Sequence, residues 1–313
     1  MPNAQDVLWF KTEFQGLIEP VIAGTPFSVD MLAAFACQET GEIWPALRRR
    51  GLATARVLEL CVGDTIDASA TGGGRRAFPK NKAELLAAAD GERMFAIARQ
   101  GLVEMAEQIP AYRGAAARPD KFCHGFGIFQ LDLQFYRTEP DYFLEKRYAD
   151  FGAALAKCIT ELTAAVHRLG WQDKTALGDL EMAGLAIAYN TGRFDPARGL
   201  KQGYFDGTKY YGENFFAYLQ LAKNTPLPAP VPRGARAMRG PATKQKLAAK
   251  RPPSKRPPAK KAAAKRSAAK QAAVKKTPLK KTAASKLAAN KTATKKPLRA
   301  TAVPRKAATR KAR

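Results

Sequence analysis

The stretch HGFGIFQLD, residues 124–132, decides where the chain departs from a helical pattern. Two glycines interrupt its short apolar run, which leaves too few consecutive positions for a helix. We therefore expect a turn into a strand, or an extended segment, over residues 121–137. Apolar positions recur with a helical period on both sides of it, so the stretch marks a different element inside a helical domain.

The best-marked helix lies before that stretch, at residues 28–41. Ser28 is a favourable N-cap, Asp30 lies at the positive end of the helix dipole, and Gly41 suits the C′ position. Residues 63–82 are predicted to form a Gly-rich loop. Further helices are expected at residues 1–24, 82–89, 92–108, 140–169, 177–189 and 211–223. The sequence therefore predicts a mostly α fold with a small strand or extended element.

Charge divides the chain into two parts. Of 53 Lys and Arg residues, 28 lie in residues 233–313, and the last acidic residue is Glu213. This leaves 25 basic against 27 acidic residues in residues 1–232, so we expect a near-neutral globular domain at 1–225. A Pro-containing linker and a basic tail follow at 226–313. Without acids or aromatics, the tail cannot offset its chain entropy by burying apolar surface and should be disordered in isolation.

The predicted partner of the tail is a polyanion. A polycation binds phosphate polymers by releasing their counterions, so this binding is sensitive to salt and blind to base sequence. The tail resembles the Lys/Ala/Pro-rich tails of linker histones and of histone-like bacterial proteins, which implies DNA or RNA as the partner. Anionic polymers of the cell envelope, the membrane surface and a purely solubilising role remain alternatives, because electrostatics alone does not separate them.

The location and redox state of the protein are predicted from what the sequence lacks. No apolar run is long enough for a transmembrane segment, and the first residues do not match a secretory signal peptide. We therefore expect a cytoplasmic protein, or one that leaves the cytosol by a non-Sec route or by phage-type release. The cysteines should be buried thiols, although a bridge from Cys37 to Cys61 or Cys123 stays open.

Metal and cofactor chemistry is not expected. The chain has only two histidines, and it contains neither an HExxH pattern nor paired cysteines with the spacing of a zinc site. His124 is interpreted as a hydrogen-bonding residue in a turn. The stretch TGGGRR lacks the Lys-Ser/Thr pair that a phosphate-binding loop needs.

A carboxylate follows an apolar helix in FACQETGEIW, residues 35–44. A carboxylic acid serves as a general acid near neutral pH when its surroundings disfavour the charged form, and the end of an apolar helix provides such surroundings. Glu39 is therefore the candidate acid. Glu42, past Gly41, should be more exposed. The alternative for Glu39 is a capping or ion-paired surface residue.

Three segments then follow in a recognisable order, QETG (38–41), HGFGIFQLD (124–132) and AIAYNTG (186–192). Together they resemble the lysozyme-like superfamily, in particular lytic transglycosylases and goose-type lysozymes. Those proteins carry an E-S-G-like helix end, a G-x-G-L-M-Q-V/I segment and an A-Y-N-A-G segment. Here Thr40 stands where Ser is usual and Phe129 where Met is usual, and the resemblance covers about residues 28–222.

The resemblance implies a lysozyme-like domain that binds peptidoglycan of the cell wall. The expected reaction is cleavage of the β-1,4 bond between N-acetylmuramic acid and N-acetylglucosamine, with Glu39 as general acid/base. Asp132 is the first candidate for the second carboxylate that an inverting glycoside hydrolase needs, and Asp64 and Asp67 are the others. In a lytic transglycosylase the same Glu acts first as acid and then as base, so no second carboxylate is needed.

The resemblance also implies a set of substrate-binding residues, Gly127, Gln130, Tyr189 and Asn190. Each has a structural alternative: Tyr189 ends an apolar helix, Asn190 lies in a favourable C-cap, and Asp132 suits loop capping. A second hypothesis covers the whole chain, namely a non-catalytic, histone-like DNA-binding protein that retains a lysozyme-like scaffold.

Overall fold

Helices dominate the computed structural model of the chain, which describes residues 1–66, with the backbone alone for 64–66, and residues 75–228. In chain order the helices are α1 (Ala4–Ile22), α2 (Val29–Thr40), α3 (Trp44–Arg49), α4 (Thr54–Glu59), α5 (Lys82–Leu86), α6 (Gly91–Gln108), α7 (Arg113–Ala116), α8 (Pro140–Leu144), α9 (Phe151–Arg168), α10 (Asp179–Thr191) and α11 (Tyr211–Lys223). Short 3-10 turns lie at Pro110–Tyr112, Leu133–Arg137, Arg147–Ala149 and Pro196–Arg198. The expected mostly α fold with a small extended element is confirmed.

The extended element is an antiparallel sheet with strands in the order β1 (Val62–Ile66), β2 (Phe122–Phe126) and β3 (Leu131–Asp132). The sequence predicted a turn followed by a strand, but β2 comes first and Gly125 lies within it. The tight turn follows, with positive φ at Gly127 (80°) and Gln130 (54°). Residues 63–66 of β1 lie in the segment predicted as a loop, and pairing with β2 makes them part of a strand.

The predicted helix at 140–169 is wrong as a single element. The helical path is interrupted by Lys146, which has a φ of 53°, and by the 3-10 turn that buries Tyr148. A new helix then begins, because the side chain of Asp150 accepts a hydrogen bond from the backbone nitrogen of Ala153 at 2.8 Å. The helices α3 and α4 were not predicted.

Helix α2 runs through the core, and it begins where the sequence predicted, directly after Ser28. Ser28 Oγ accepts a hydrogen bond from the backbone nitrogen of Met31 at 3.2 Å, as expected for an N-cap. Gly41 does not adopt the left-handed C′ conformation, since its φ is −63°. It is needed for space instead: a Cβ there would lie 2.1 Å from the carbonyl oxygen of Cys37 and 2.6 Å from Cγ of Pro2.

A buried lysine fixes α2 relative to its neighbours. Nζ of Lys11, on α1, lies 2.6 Å from Oδ1 of Asp30. It also donates to the carbonyl oxygens of Ala222 (2.7 Å) and Thr225 (2.8 Å), at and just after the end of α11. A buried ammonium is stable only with such partners, so Lys11 holds α1, α2 and the end of α11 at one point.

Several sequence predictions fall at or beyond the limits of the described residues. Helix α11 ends at Lys223 and residues 225–228 have no regular secondary structure. Residues 229–313 of the predicted linker and tail lie outside the described residues, so that part stays a prediction. The cysteines Cys37, Cys61, Cys123 and Cys158 are buried and form no disulfide with one another, which confirms the expected thiols.

Candidate active site

The carboxylate of Glu39 lies at the C-terminal end of α2, one residue before the helix ends. The side chain is partly buried, and its Oε1 accepts a hydrogen bond from the hydroxyl of Tyr211 at 2.7 Å. Tyr211 is the first residue of α11 and is 3% exposed. A partly exposed acid is therefore held in one orientation by a buried hydroxyl group.

The aromatic packing around Phe35 explains why these helix ends meet. Its ring centroid lies 4.7 Å from that of Phe215 on α11 and 5.2 Å from that of Tyr189 on α10. Both pairs are edge-on, the arrangement that aromatic quadrupoles favour. The face of α2 that precedes Glu39 is thus packed against both later helices.

Three titratable groups near Glu39, those of Tyr211, Tyr189 and Cys158, stay uncharged at physiological pH. Burial, the nearby charge of Glu39 and the hydrogen bond to it raise the pKa of Tyr211 well above its ordinary value. Burial, with Cys158 and Glu39 as further causes, does the same to the pKa of Tyr189. Burial and the charge of Glu39 likewise raise the pKa of Cys158. Tyr211 therefore remains a hydrogen-bond donor to Glu39 across the physiological pH range.

The turn between β2 and β3 joins the three segments that the sequence singled out. Oγ1 of Thr40, the neighbour of Glu39, donates to the carbonyl oxygen of Ile128 at 2.7 Å. The hydroxyl of Tyr189, on α10, donates to the carbonyl oxygen of Phe129 at 3.1 Å. Consecutive carbonyls of one turn thus bind the end of α2 and the end of α10.

Gln130, a predicted substrate-binding residue, lies folded over the sheet and is 9% exposed. Its Nε2 donates to the carbonyl oxygens of Gly127 (2.8 Å) and Cys61 (3.3 Å). Gly63 and Gly125 are directly paired in the sheet, and they leave the room that its carboxamide fills. A Cβ at Gly125 would lie 2.2 Å from Gln130 Oε1, and one at Gly63 would lie 2.7 Å from it. In the described residues Gln130 therefore fixes the turn.

Gly127 shapes the same turn. Its φ of 80° is one that side-chain-bearing residues rarely adopt, and a Cβ there would lie 3.1 Å from the carbonyl oxygen of Tyr148. The glycine is explained by backbone geometry and close packing. Its predicted contact with substrate stays a prediction.

Asn190 lies beside the segment that leads into α11. A Cβ at Gly203 would lie 3.6 Å from Oδ1 of Asn190 and 2.6 Å from Cβ of Tyr211. Gly192 ends α10 with a φ of 81°, so the predicted C-cap is present. Asn190 and Tyr211 therefore flank the same glycine, which places Asn190 close to the tyrosine that binds Glu39.

Asp132, the predicted second carboxylate, is held in an ion-paired cluster. Arg75 donates to both of its oxygens, through Nη2 to Oδ1 and through Nη1 to Oδ2 at 2.8 Å. Oδ1 also accepts from the backbone nitrogen of Gln134 at 2.7 Å, and Nδ1 of His124 lies 3.1 Å from Oδ2. A carboxylate offers about four acceptor positions, and Arg75 and Gln134 occupy three of them. The ring of His124 lies against the fourth, with its Nδ1 also 3.1 Å from Nη1 of Arg75.

Electrostatics keeps Asp132 ionised. Burial opposes ionisation, but the hydrogen bonds from His124 and Arg75 and their charges outweigh it and hold the pKa of Asp132 below its ordinary value. Arg75 also donates to the carbonyl oxygens of Phe78 and Pro79, so the cluster ties that segment to β3. The side chain of Asp64 and all of Asp67 lie outside the described residues.

Tyr211 and Arg75 are the functional candidates that the sequence did not reveal. Tyr211 lies in YYGENFF, which was interpreted only as the start of a helix. Its bond to Glu39 joins residues 172 positions apart, and no local pattern encodes that contact. Arg75 lies in the predicted Gly-rich loop beside Arg76, and no local signal distinguishes either arginine as the partner of Asp132.

Within residues 1–66 and 75–228, no helix has the length and apolar character to cross a bilayer. In the same part of the chain, no group of three or more His, Cys, Asp or Glu side chains is arranged to hold a metal ion. No match to this chain was found among models of protein families, among curated proteins or among solved structures.

Proposed function

We propose that residues 28–222 form a lysozyme-like domain that cleaves peptidoglycan between N-acetylmuramic acid and N-acetylglucosamine, with Glu39 as general acid and base. The observation that carries the proposal is the convergence at the β2–β3 turn. Thr40 and Tyr189 bind consecutive carbonyls of that turn, at 2.7 and 3.1 Å, and Tyr211 binds Glu39 at 2.7 Å. The three motifs that carry the resemblance thus meet at one turn, next to the candidate acid Glu39.

The chemistry begins with protonation of the glycosidic oxygen, which is a poor leaving group. Glu39 supplies this proton as the bond to C1 of the muramic acid breaks. The hydroxyl of Tyr211 restricts rotation of the carboxyl group, so the acid is oriented before substrate binds. Tyr211 is a positioning residue in this scheme.

The environment of Asp132 supports the lytic transglycosylase mechanism over an inverting hydrolase. A general base must take a proton from a water molecule, but Arg75 and Gln134 bind both oxygens of Asp132, and the ion pair holds the pKa of Asp132 below its ordinary value. In the transglycosylase scheme ionised Glu39 takes the proton of the muramic 6-hydroxyl as that oxygen attacks C1. The product is a 1,6-anhydro ring, and Glu39 is protonated again for the next cycle.

A second candidate function is favoured by the charge of the tail. Residues 233–313 hold 28 of the 53 Lys and Arg residues and no acid, which suits binding to a nucleic acid through counterion release. On this alternative the folded domain is a scaffold and Glu39 has no substrate. Removal of residues 233–313 should abolish DNA retardation in gels at low salt. Retardation that persists without them would contradict this use of the tail.

The test of the enzymatic proposal is release of soluble fragments from purified peptidoglycan by the full chain. Glu39→Gln should abolish release, because Gln accepts the hydrogen bond from Tyr211 but supplies no acid. Glu42→Gln is the matched control, since Glu42 is 61% exposed and lies three residues along the chain. Equal release by Glu39→Gln and the unsubstituted chain would refute the proposal.

A further inference from the structure

An ordered aromatic turn lies between α10 and α11. Phe205 and Tyr210 form an antiparallel bridge, and the backbone nitrogen of Asp206 donates to the carbonyl oxygen of Lys209 at 3.0 Å. We refer to residues 205–210 as the aromatic turn. It is a tight hairpin-like element.

The carboxylate of Asp206 holds this turn in one shape. Its Oδ1 accepts from the backbone nitrogen (2.8 Å) and hydroxyl (2.6 Å) of Thr208 and from the backbone nitrogen of Lys209 (2.9 Å). Its Oδ2 accepts from Nδ2 of Asn214, on α11, at 2.8 Å. These bonds offset the entropy cost of ordering the loop before any ligand arrives.

The aromatic turn presents an apolar ring to solvent. Phe205 is 47% exposed, and its centroid lies 4.9 Å from that of Tyr210 at an interplanar angle of 45°. Phe205 is the only exposed aromatic residue in the described part of the chain, and it lies on a turn that is ordered by its own hydrogen bonds. The faces of phenyl rings pack against the axial C–H groups of β-linked pyranose rings.

The backbone joins the aromatic turn directly to the candidate acid. The nitrogen of Tyr211 donates to the carbonyl oxygen of Tyr204 at 2.7 Å, while the hydroxyl of the same Tyr211 binds Glu39. Gly203, two residues before Phe205, packs against Tyr211 and lies beside Asn190. The turn is therefore anchored on both sides to residues of the candidate site.

We infer that Phe205, supported by Tyr210, is a stacking subsite for an N-acetylhexosamine ring of the glycan on which Glu39 acts. This inference rests on the proposed function and extends it to a specificity-determining residue. The ring of Phe205 binds a sugar unit away from the scissile bond. Its contribution is to affinity and to the length of glycan that is bound.

The test measures binding separately from cleavage, using the full chain with Glu39→Gln and a soluble N-acetylglucosamine hexamer as probe. In that background Phe205→Ala should weaken the affinity about tenfold, the scale of one lost aromatic contact. Phe205→Trp should restore it. Leu180→Ala is the matched control, since Leu180 is a 63% exposed apolar residue at the start of α10, and it should leave the affinity unchanged.

Each outcome separates the inference from the function it extends. Unchanged affinity in Phe205→Ala, with cleavage intact in the unsubstituted chain, would overturn the subsite and leave the proposed function standing. If Phe205→Ala changes the sedimentation of the protein but not its affinity for the hexamer, the ring of Phe205 contacts another copy of the chain, and this outcome also overturns the subsite. No binding by Glu39→Gln and no cleavage by the unsubstituted chain would contradict both.

Discussion

The packing of Gln130 over two paired glycines leads to a prediction that can be worked out from the geometry. Alanine at Gly125 would place its Cβ 2.2 Å from Oε1 of Gln130, well inside contact distance. The carboxamide must then leave its position. Its hydrogen bonds to the carbonyl oxygens of Gly127 and Cys61 are lost with it.

The size of the effect follows from those bonds. Each buried hydrogen bond contributes about 0.5–1.5 kcal/mol, and displacement of a packed side chain adds strain, so Gly125→Ala should lower the free energy of unfolding by about 2–3 kcal/mol. Gln130→Ala should cost about 1–3 kcal/mol by itself. The double variant should lower the free energy of unfolding by little more than Gln130→Ala alone, because both substitutions remove the same hydrogen bonds of Gln130.

Urea unfolding of the four proteins gives the coupling energy directly. We expect the double variant to be about 1.5–2.5 kcal/mol more stable than the sum of the single changes predicts. Gly16→Ala is the control, since Gly16 is an exposed position within α1 where an added Cβ would meet nothing within 4 Å, and it should be neutral or stabilising. Additive effects of the two substitutions would refute the proposed role of Gln130.

Three further predictions concern other buried contacts. Lys11→Met removes the partner of Asp30 and of the carbonyl oxygens of Ala222 and Thr225, and should lower the free energy of unfolding in urea by about 2–4 kcal/mol. Lys209→Met, at an exposed position, is the control and should change it by less than about 0.5 kcal/mol. An equally small change in Lys11→Met would contradict the role of Lys11 in joining the three helices. The folded pKa of Asp132 is depressed, so its stabilisation is present above its unfolded pKa of about 3.9 and is lost as the pH falls. Asp132→Asn should therefore show a shallower loss of stability on acidification than the unsubstituted chain, and equal slopes would argue against the ion pair. Tyr211→Phe should lower the rate of glycan cleavage about 10–100-fold with less change in KM, because Glu39 loses the hydrogen bond that orients it. Tyr218→Phe is the control and should leave the rate unchanged. An unchanged rate in Tyr211→Phe would remove Tyr211 from the mechanism.

Local sequence patterns predicted the helices that are specified by their own apolar periodicity and capping residues. The period of apolar residues and the cap at Ser28 predicted α2, and α11 occupies the predicted residues 211–223. The break between α8 and α9 was missed because the 3-10 turn there is fixed by burial of Tyr148, a tertiary effect. Strand β1 was missed for the same reason, since the segment VGDTI has no clear strand pattern and becomes a strand through pairing with β2.

The same distinction between local signals and tertiary contacts applies to the residues of the candidate site. The position of Glu39 at the end of α2 was predictable from the local pattern, while its catalytic role stays a prediction. The bond from Tyr211 to Glu39 was not predictable, because it joins residues 172 positions apart and depends on how α11 packs. The ion pair of Asp132 with Arg75 is likewise non-local, and it favours the structural alternative for Asp132, whose catalytic role stays a prediction.

The mass of the glycan ends released by the full chain tests the central claim most directly. If Glu39 acts as acid and then as base for the muramic 6-hydroxyl, the ends from purified peptidoglycan should be 1,6-anhydro species, one water lighter than reducing ends. Glu39→Gln should release none. Reducing ends would contradict the transglycosylase mechanism, and release of the same products by Glu39→Gln would contradict the role of Glu39 itself.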